Sequence, residues 1–253
     1  MNLIQRQFLA LYEEELPEFV MIGGRRYRRV ETFKYDFFAG TGLYELSENP
    51  VEPVVHARLI VVKIYRYRRF FGLPTGWFGK LSVRHEARMY LKLADIRGIP
   101  RFEGFVGKTG FAHEYIDGRP LKKKDFVSNY FFDQLKELLS AIHRGGVSYV
   151  DLHKPSNILL GKDGKPYLID FQISYAPRLR WWISNFILTQ LQTEDWYHYL
   201  KHKRRMRRDL LTQEDYEKSC QPSAINRIHR RISKPYFRVR HYLMEVLGLK
   251  SVE

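Results

Sequence analysis

The apolar positions of the chain change period about halfway along. Between residues 19 and 70, short apolar runs alternate with charged ones and are punctuated by glycine: FVMI, Gly23-Gly24, RRYRRVETF, a glycine-containing turn, then RLIVVKIY. Such runs predict strands. Ahead of them, Ile4, Phe8 and Leu11 fall at helical spacing and predict a short amphipathic helix over roughly Leu3 to Tyr12. Residues 80–94 repeat apolar positions at helical period through Val83, Ala87, Tyr90 and Leu91, with Gly98 and Pro100 as the stop. FEGFVG and GFAHEYI predict two further strands. Beyond Gly118 the period becomes helical. Phe131, Leu135, Leu138, Leu139 and Ile142 line one face, ended by Gly145-Gly146. ILLGKDGKPYLIDF at 158–171 is a hairpin pattern about Lys162-Asp163-Gly164, and the remainder is helical, basic and aromatic.

This order predicts an α+β chain in two lobes: a strand-rich lobe with one helix over residues 1–113, a connector at 114–120, and a helical lobe over 121–253. A cleft is expected at the connector. Cys220 is the only cysteine, which excludes an intrachain disulfide and suits a reducing compartment. Glu13, Glu14 and Glu15 interrupt the early apolar residues, so no secretory signal is expected. No run approaches the ~18–20 apolar residues of a membrane span, WWISNFIL at 181–188 being far too short. The expectation is a cytoplasmic protein.

Charge sharpens the choice of partner. Forty-three Lys and Arg against 28 Asp and Glu give +15, and from Phe171 onward 16 basic residues face 8 acidic ones. Such a field favours anionic partners: phosphates, nucleic acid or acidic lipid headgroups.

The segment HRGGVSYVDLHKPSNILLGKDGKPYLIDF at 143–171 carries the densest candidate chemistry. Phosphoryl transfer needs a grip on nucleotide phosphates, a divalent cation to neutralise charge, and a carboxylate to orient the acceptor hydroxyl. Asp151 follows a helix end and a short strand-like VSYV and is the candidate carboxylate. Asn157 begins the hairpin and Asp170 ends it, which brings two oxygen-bearing side chains to one edge, as Mg²⁺ prefers.

In these residues the chain resembles the kinase-like superfamily, and within it the compact bacterial lipopolysaccharide (Kdo and heptose) kinases and the RIO-type kinases. Asp151 to Asn157 looks like the catalytic loop and Asp170-Phe171 like the DFG element. The resemblance covers roughly residues 35–175. It implies a bilobal fold, ATP with Mg²⁺ or Mn²⁺, and a hydroxyl acceptor on a sugar or a protein. It also implies further roles. Lys63 in VVKIY would touch the α- and β-phosphates, with Glu86 as its ion-pair partner. Gly40 and Gly42 of AGTGLYEL would form a phosphate-covering loop. Glu114, Tyr115 and Ile116 would meet adenine and Asp117 the ribose, while Lys154 would meet the γ-phosphate.

The pattern departs from the family in four places. Tyr149 and Val150 stand where His and Arg of the HRD element would be, so no basic pocket for an activation-loop phosphate is expected. Asp151 and Asn157 are one residue further apart than usual, so either the loop bulges or the metal-binding residue lies elsewhere. Gln172 replaces the DFG glycine, and no APE-type segment follows Ser174.

Three readings of function follow: a glycolipid sugar kinase at the inner membrane face, a RIO-like protein kinase, or a nucleotide-binding pseudokinase or nucleic-acid-binding module. The C-terminal third bears on the choice. KHKRRMRR at 201–208 and NRIHRRISKPYFRVR at 226–240 hold six Lys and Arg each. RLRWWISNFIL at 178–188 reads either as a core helix, burying Leu179, Trp182, Ile183, Phe186 and Ile187, or as an interfacial surface beside anionic lipid. RNA is the rival anion.

Overall fold

The computed structural model describes residues 10–11, 15–47, 57–67, 76–179 and 181–221. The helix expected over 3–12, apart from Ala10 and Leu11, and the basic run at 226–240 lie outside the described residues.

Six antiparallel strands form the first sheet, in the order β1-β2-β3-β4-β6-β5. They are β1 (Phe19–Ile22), β2 (Arg25–Tyr35), β3 (Ala39–Leu46), β4 (Leu59–Tyr65), β5 (Phe102–Val106) and β6 (Gly110–Glu114). Gly23 and Gly24 both take positive φ to turn β1 into β2. Strand β4 is central and buried along nearly its whole length, which is why LIVVKIY reads as a continuous apolar run. Helix α1 (Gly76–Lys92) packs on the sheet through Val83, Glu86, Ala87, Met89 and Tyr90. A separate cluster of Leu16, Val20, Ile22, Tyr27, Tyr44 and Ile60 is also built on strands of this sheet.

The second lobe holds a three-stranded sheet, β7 (Gly118–Pro120), β8 (Ile158–Gly161) and β9 (Pro166–Leu168), with helices α2 (Asn129–Arg144), α3 (Trp182–Met206) and α4 (Gln213–Cys220). One hydrophobic cluster runs through both lobes, from Val83, Tyr90 and Phe111 to Leu135, Ile142, Leu168 and Phe171. Each such side chain, once fully buried, contributes ~1.5–3 kcal/mol. The architecture is the α+β, two-lobed one that the periodicities imply.

Two expectations fail here. The glycine-containing turn at 39–46 is strand β3, paired with β2 on one side and β4 on the other. The start of α3 is not a core helix either. Leu179, Trp182 and Phe186 are 79%, 70% and 63% exposed. The buried side of α3 is mostly polar instead: Leu188, Glu194, Asp195, His198, Tyr199 and His202.

The basic run at 201–208 is only partly a solvated face. Arg204 donates to Ser219 Oγ at 3.2 Å and to Cys220 Sγ at 2.7 Å. Arg207 is buried, donating to the Val127 carbonyl at 3.0 Å and to Asp209 at 2.6 Å.

Candidate active site

One lysine bridges the two lobes. Lys63, near the end of β4, lies opposite Phe111 of β6 and Thr41 of β3. Its Nζ donates to Glu86 Oε2 at 2.9 Å and Oε1 at 3.2 Å, and to Asp170 Oδ1 at 2.8 Å. Glu86 is fully buried on the inner face of α1. It also accepts from the Tyr65 hydroxyl and, at 3.0 Å, from the Phe171 amide. A buried charge is tolerated when its remaining lone pairs are met in this way. Burial pushes the Glu86 carboxyl above its ordinary range, and Lys63, bonded to both its oxygens, pulls it part of the way back. Burial would lower Lys63, but Glu86, Tyr65 and Asp170 together hold it well above its ordinary value.

Asp170 follows the β8–β9 hairpin and takes φ 64°, a left-handed conformation that Asp tolerates better than most residues. Its amide donates to the Tyr90 hydroxyl at 3.3 Å. Burial would raise the carboxyl; Lys63, then Lys154 and the Gln172 amide, hold it below the usual carboxylate range. Phe171 is fully buried, with its ring 5.1 Å from both Tyr90 and Tyr149. Ring packing thus fixes the direction in which Asp170 points.

The candidate catalytic loop is two successive 3₁₀ turns, Asp151–His153 and Pro155–Asn157. The two turns carry the extra residue, and the Asn157 carbonyl accepts from the Ile169 amide at 3.1 Å, next to Asp170. Asp151 is 3% exposed. Its Oδ2 accepts from Lys154 Nζ at 2.8 Å and Asn157 Nδ2 at 2.9 Å. Its Oδ1 has no hydrogen bond among the described residues, although the His153 imidazole stands 3.2 Å away. Val150 precedes it at φ 67°, ψ −43°, with the Asp151 amide bonded to the Tyr149 carbonyl at 2.8 Å. That is a γ-turn of the rare positive-φ kind, strained for any side chain and more so for a β-branched one.

The residue that holds this turn is one that sequence reasoning missed. Asp195, fully buried in α3, accepts at Oδ2 from His143 Nε2 (3.0 Å), Ser148 Oγ (2.8 Å) and the Tyr149 amide (2.8 Å), and at Oδ1 from the Val150 amide (2.8 Å). Its signal was present in the sequence. Asp195, His198, Tyr199 and His202 recur at i, i+3, i+4 and i+7, one helical stripe, and a carboxylate on an otherwise inward stripe must be bonded inside. From the same stripe, His202 Nε2 donates to the Leu152 carbonyl at 2.7 Å.

The remaining predicted residues fall less simply. Gly40 and Gly42 lie in the β3 ladder, opposite Ile64 and Val62, and form no loop. Close packing explains them: a Cβ at Gly40 would come 2.6 Å from Leu16 Cδ2, and one at Gly42 2.8 Å from the Glu31 carbonyl. The hairpin tip before Lys63 is Asp36-Phe37-Phe38. Asp36 Oδ1 accepts the Phe38 and Ala39 amides at 2.8 and 3.1 Å. Arg66, the residue after β4, clasps the tip through its amide to the Phe38 carbonyl and its Nε to the Phe37 carbonyl.

At the connector, the Glu114 and Tyr115 amides donate to the Arg101 and Leu59 carbonyls, so of these three residues Ile116 has no backbone acceptor for its amide among the described residues. Asp117 pairs with Lys162 Nζ at 2.7 Å rather than standing alone for a ribose.

The donor set fits Mg²⁺ bound through a nucleotide. Asp170 and Asn157 offer hard oxygens from adjoining backbone positions. No group of three or more His, Cys, Asp or Glu that could cage a metal occurs among the described residues. Mg²⁺ is usually held by one or two carboxylates plus phosphate oxygens and water.

No family model matches the sequence, and no curated protein matches it. The structure does match solved structures. The Rio2 kinase–ADP/Mg²⁺–phosphoaspartate complex from Chaetomium thermophilum aligns with a TM-score of 0.54 at 13% identity, over 78% of this chain and 59% of that one. The Rio2 kinase from the same organism aligns with a TM-score of 0.52 at 13% identity, over 74% of this chain and 57% of that one. The chain thus spans under three-fifths of the length of those kinases, and the likeness establishes a kinase-like bilobal fold.

Proposed function

We propose that this protein is a phosphotransferase that uses ATP with Mg²⁺ or Mn²⁺ and a hydroxyl acceptor. The observation that carries the reading is the Lys63 bridge to Glu86 and Asp170, set beside a buried Asp151 whose Oδ1 is left without a hydrogen bond. Metal-bound nucleotide supplies the electrophilic phosphoryl group and the counter-charge. The chain's own residues do the rest. Lys63 and Lys154 present cations to phosphate, Asp170 and Asn157 offer metal ligands, and the Ile116 amide offers a donor to the base. Asp151 Oδ1 would take the proton of the acceptor hydroxyl as its oxygen bonds to the γ-phosphorus and the bond from that phosphorus to the β,γ-bridging oxygen breaks, ADP leaving with that electron pair.

The acceptor divides this reading. A RIO-like protein acceptor is favoured by the fold neighbours. A glycolipid sugar is favoured by the exposed tryptophans at the start of α3. A pseudokinase or nucleic-acid-binding module is the remaining alternative. Incubation with labelled ATP and Mg²⁺, alone and then with lipopolysaccharide precursors, protein and RNA, decides among them. Asp151→Asn should cut turnover ~10²-fold or more with nucleotide affinity nearly unchanged. A fully active Asp151→Asn enzyme would overturn the assignment, and binding without transfer to any acceptor would favour the pseudokinase.

A further inference from the structure

Two groups of exposed apolar side chains stand out among the described residues, one on α1 and one at the start of α3. On α1, Trp77, Leu81, Arg84 and Arg88 recur at i, i+4, i+7 and i+11 and share a stripe; Trp77 and Leu81 are 62% and 56% exposed. At the start of α3, Trp182, Ile183, Phe186 and Ile187 form a second exposed face, with Leu179 and Trp181 leading into it. His85 of α1 bonds to the Ser174 carbonyl at 2.9 Å, which ties α1 to the segment that leads into α3, and Phe38 of the hairpin tip lies 6.4 Å from the Phe78 ring. Arg178, between Ser174 and α3, acts on His85 together with Arg88.

Charge on this side has one sign. The chain has no Asp or Glu between Asp170 and Glu194, and the one carboxylate of α1 is the buried Glu86. Exposed apolar side chains rimmed by polar residues mark an interaction site, and here the rim is cationic. From this arrangement we infer that the face made by α1, residues 173–179, Trp181 and the first two turns of α3 docks on an anionic lipid bilayer.

The side chains themselves separate lipid from other occupants. Single-stranded RNA rewards stackable aromatics and cations, but gains nothing from Leu81, Ile173, Leu179, Ile183 and Ile187, all exposed here. Hydrocarbon rewards aliphatic and aromatic alike, and Trp with Arg suits the headgroup boundary. The chain's own residues 222–253 hold seven Lys and Arg against two Glu, so their charge has the same sign as the rim of this face and offers it no complement. The inference deepens the glycolipid form of the proposed function, yet its test does not depend on catalysis.

The experiment is co-sedimentation of the full chain with phosphatidylcholine vesicles, with and without phosphatidylglycerol, read together with tryptophan emission. Binding to the acidic vesicles with a blue shift is expected, weakening as salt rises. The triple change Trp181→Ser, Trp182→Ser, Phe186→Ser should lower partitioning roughly tenfold or more, and Trp77→Ser with Leu81→Ser should lower it separately. These positions are solvent-exposed, so an unchanged melting temperature serves as the folding control. Asp151→Asn should bind vesicles like the parent, which keeps failure of docking distinct from failure of catalysis. Indifference to acidic vesicles at low salt would overturn the inference. So would vesicle binding that survives the triple change but vanishes when residues 222–253 are removed, or an RNA complex that depends on the same tryptophans while vesicles are ignored.

Discussion

The Val150 amide donates to Asp195 Oδ1 at 2.8 Å across 45 residues of chain, and that bond sits on the one described valine with positive φ. A strained turn is kept because a buried carboxylate takes its amides, and the turn in turn sets where Asp151 points. Asp195 is therefore a positioning residue for the proposed reaction.

Asp195→Asn places an amide NH₂ where four donors now converge, and Asp195→Ala leaves those donors unmet. Each buried unmet donor costs ~1–3 kcal/mol, so both variants should melt lower. Turnover should fall more than apparent ATP affinity, since Lys63 and Asp170 are untouched. Equal loss in turnover and in binding would show a merely structural role.

Lys63→Met leaves Glu86 and Asp170 with no cation between them. The expected loss is ~3–5 kcal/mol, because breaking a buried pair strands the remaining charge. Adding Glu86→Gln to Lys63→Met should recover part of it, read as coupling in a double-mutant cycle of thermal unfolding. Asp170→Asn should cost less stability and abolish stabilisation by ATP with Mg²⁺. Additive effects at 63 and 86 would contradict the ion pair.

Three buried histidines predict acid sensitivity. Burial first of all depresses His113 and His202 to about 4 and His198 to about 3. Neighbouring cations, Lys63 for His113 and Lys201 with Arg205 for the other two, act in the same direction. Unfolded histidine titrates near 6.5, so between pH ~6.5 and ~4 the unfolded chain binds protons that the folded chain refuses. Stability is full above pH ~6.5 and falls as pH drops, by up to ~1.4 kcal/mol per pH unit for each histidine. Urea midpoints at pH 7.5 and 5.5 measure this. His202→Gln, which keeps a donor for the Leu152 carbonyl, should flatten the slope. Identical midpoints would refute it.

Gly42→Ala separates packing from phosphate binding. Its Cβ would meet the Glu31 backbone oxygen at 2.8 Å, an overpacking worth ~1–3 kcal/mol. The melting temperature should drop while KM for ATP holds. A raised KM at unchanged stability would return Gly42 to the phosphate site.

Local pattern made much of this molecule legible. The hairpin from Ile158 to Leu168 brings Asn157 and Asp170 together because two apolar runs flank a Lys-Asp-Gly turn. Lys63 and Glu86 lie where a mid-strand lysine and an inward helical glutamate meet. Two features misled. Glycine at 40 and 42 signals either a loop or a close approach within a strand, and only the position of Leu16 distinguishes these. The apolar run at 179–187 fits core and interface equally well, since period alone does not say whether anything lies over it. Asp195 went unread because its partners, the His143 and Ser148 side chains and the Tyr149 and Val150 amides, lie 45 to 52 residues away, beyond any local window.

The hairpin tip at Asp36-Phe37-Phe38 bears on how fast a nucleotide could come and go. A glycine tip keeps many backbone states open, and ordering it around phosphate would cost ~1–2 kcal/mol of entropy per residue at every binding event. Here Asp36 ties two amides and Arg66 holds two carbonyls, so that ordering happens once, during folding. For the proposed nucleotide the tip is a fixed roof rather than a flap. Entry and exit then wait on the two lobes parting, and turnover inherits the rate of that larger motion.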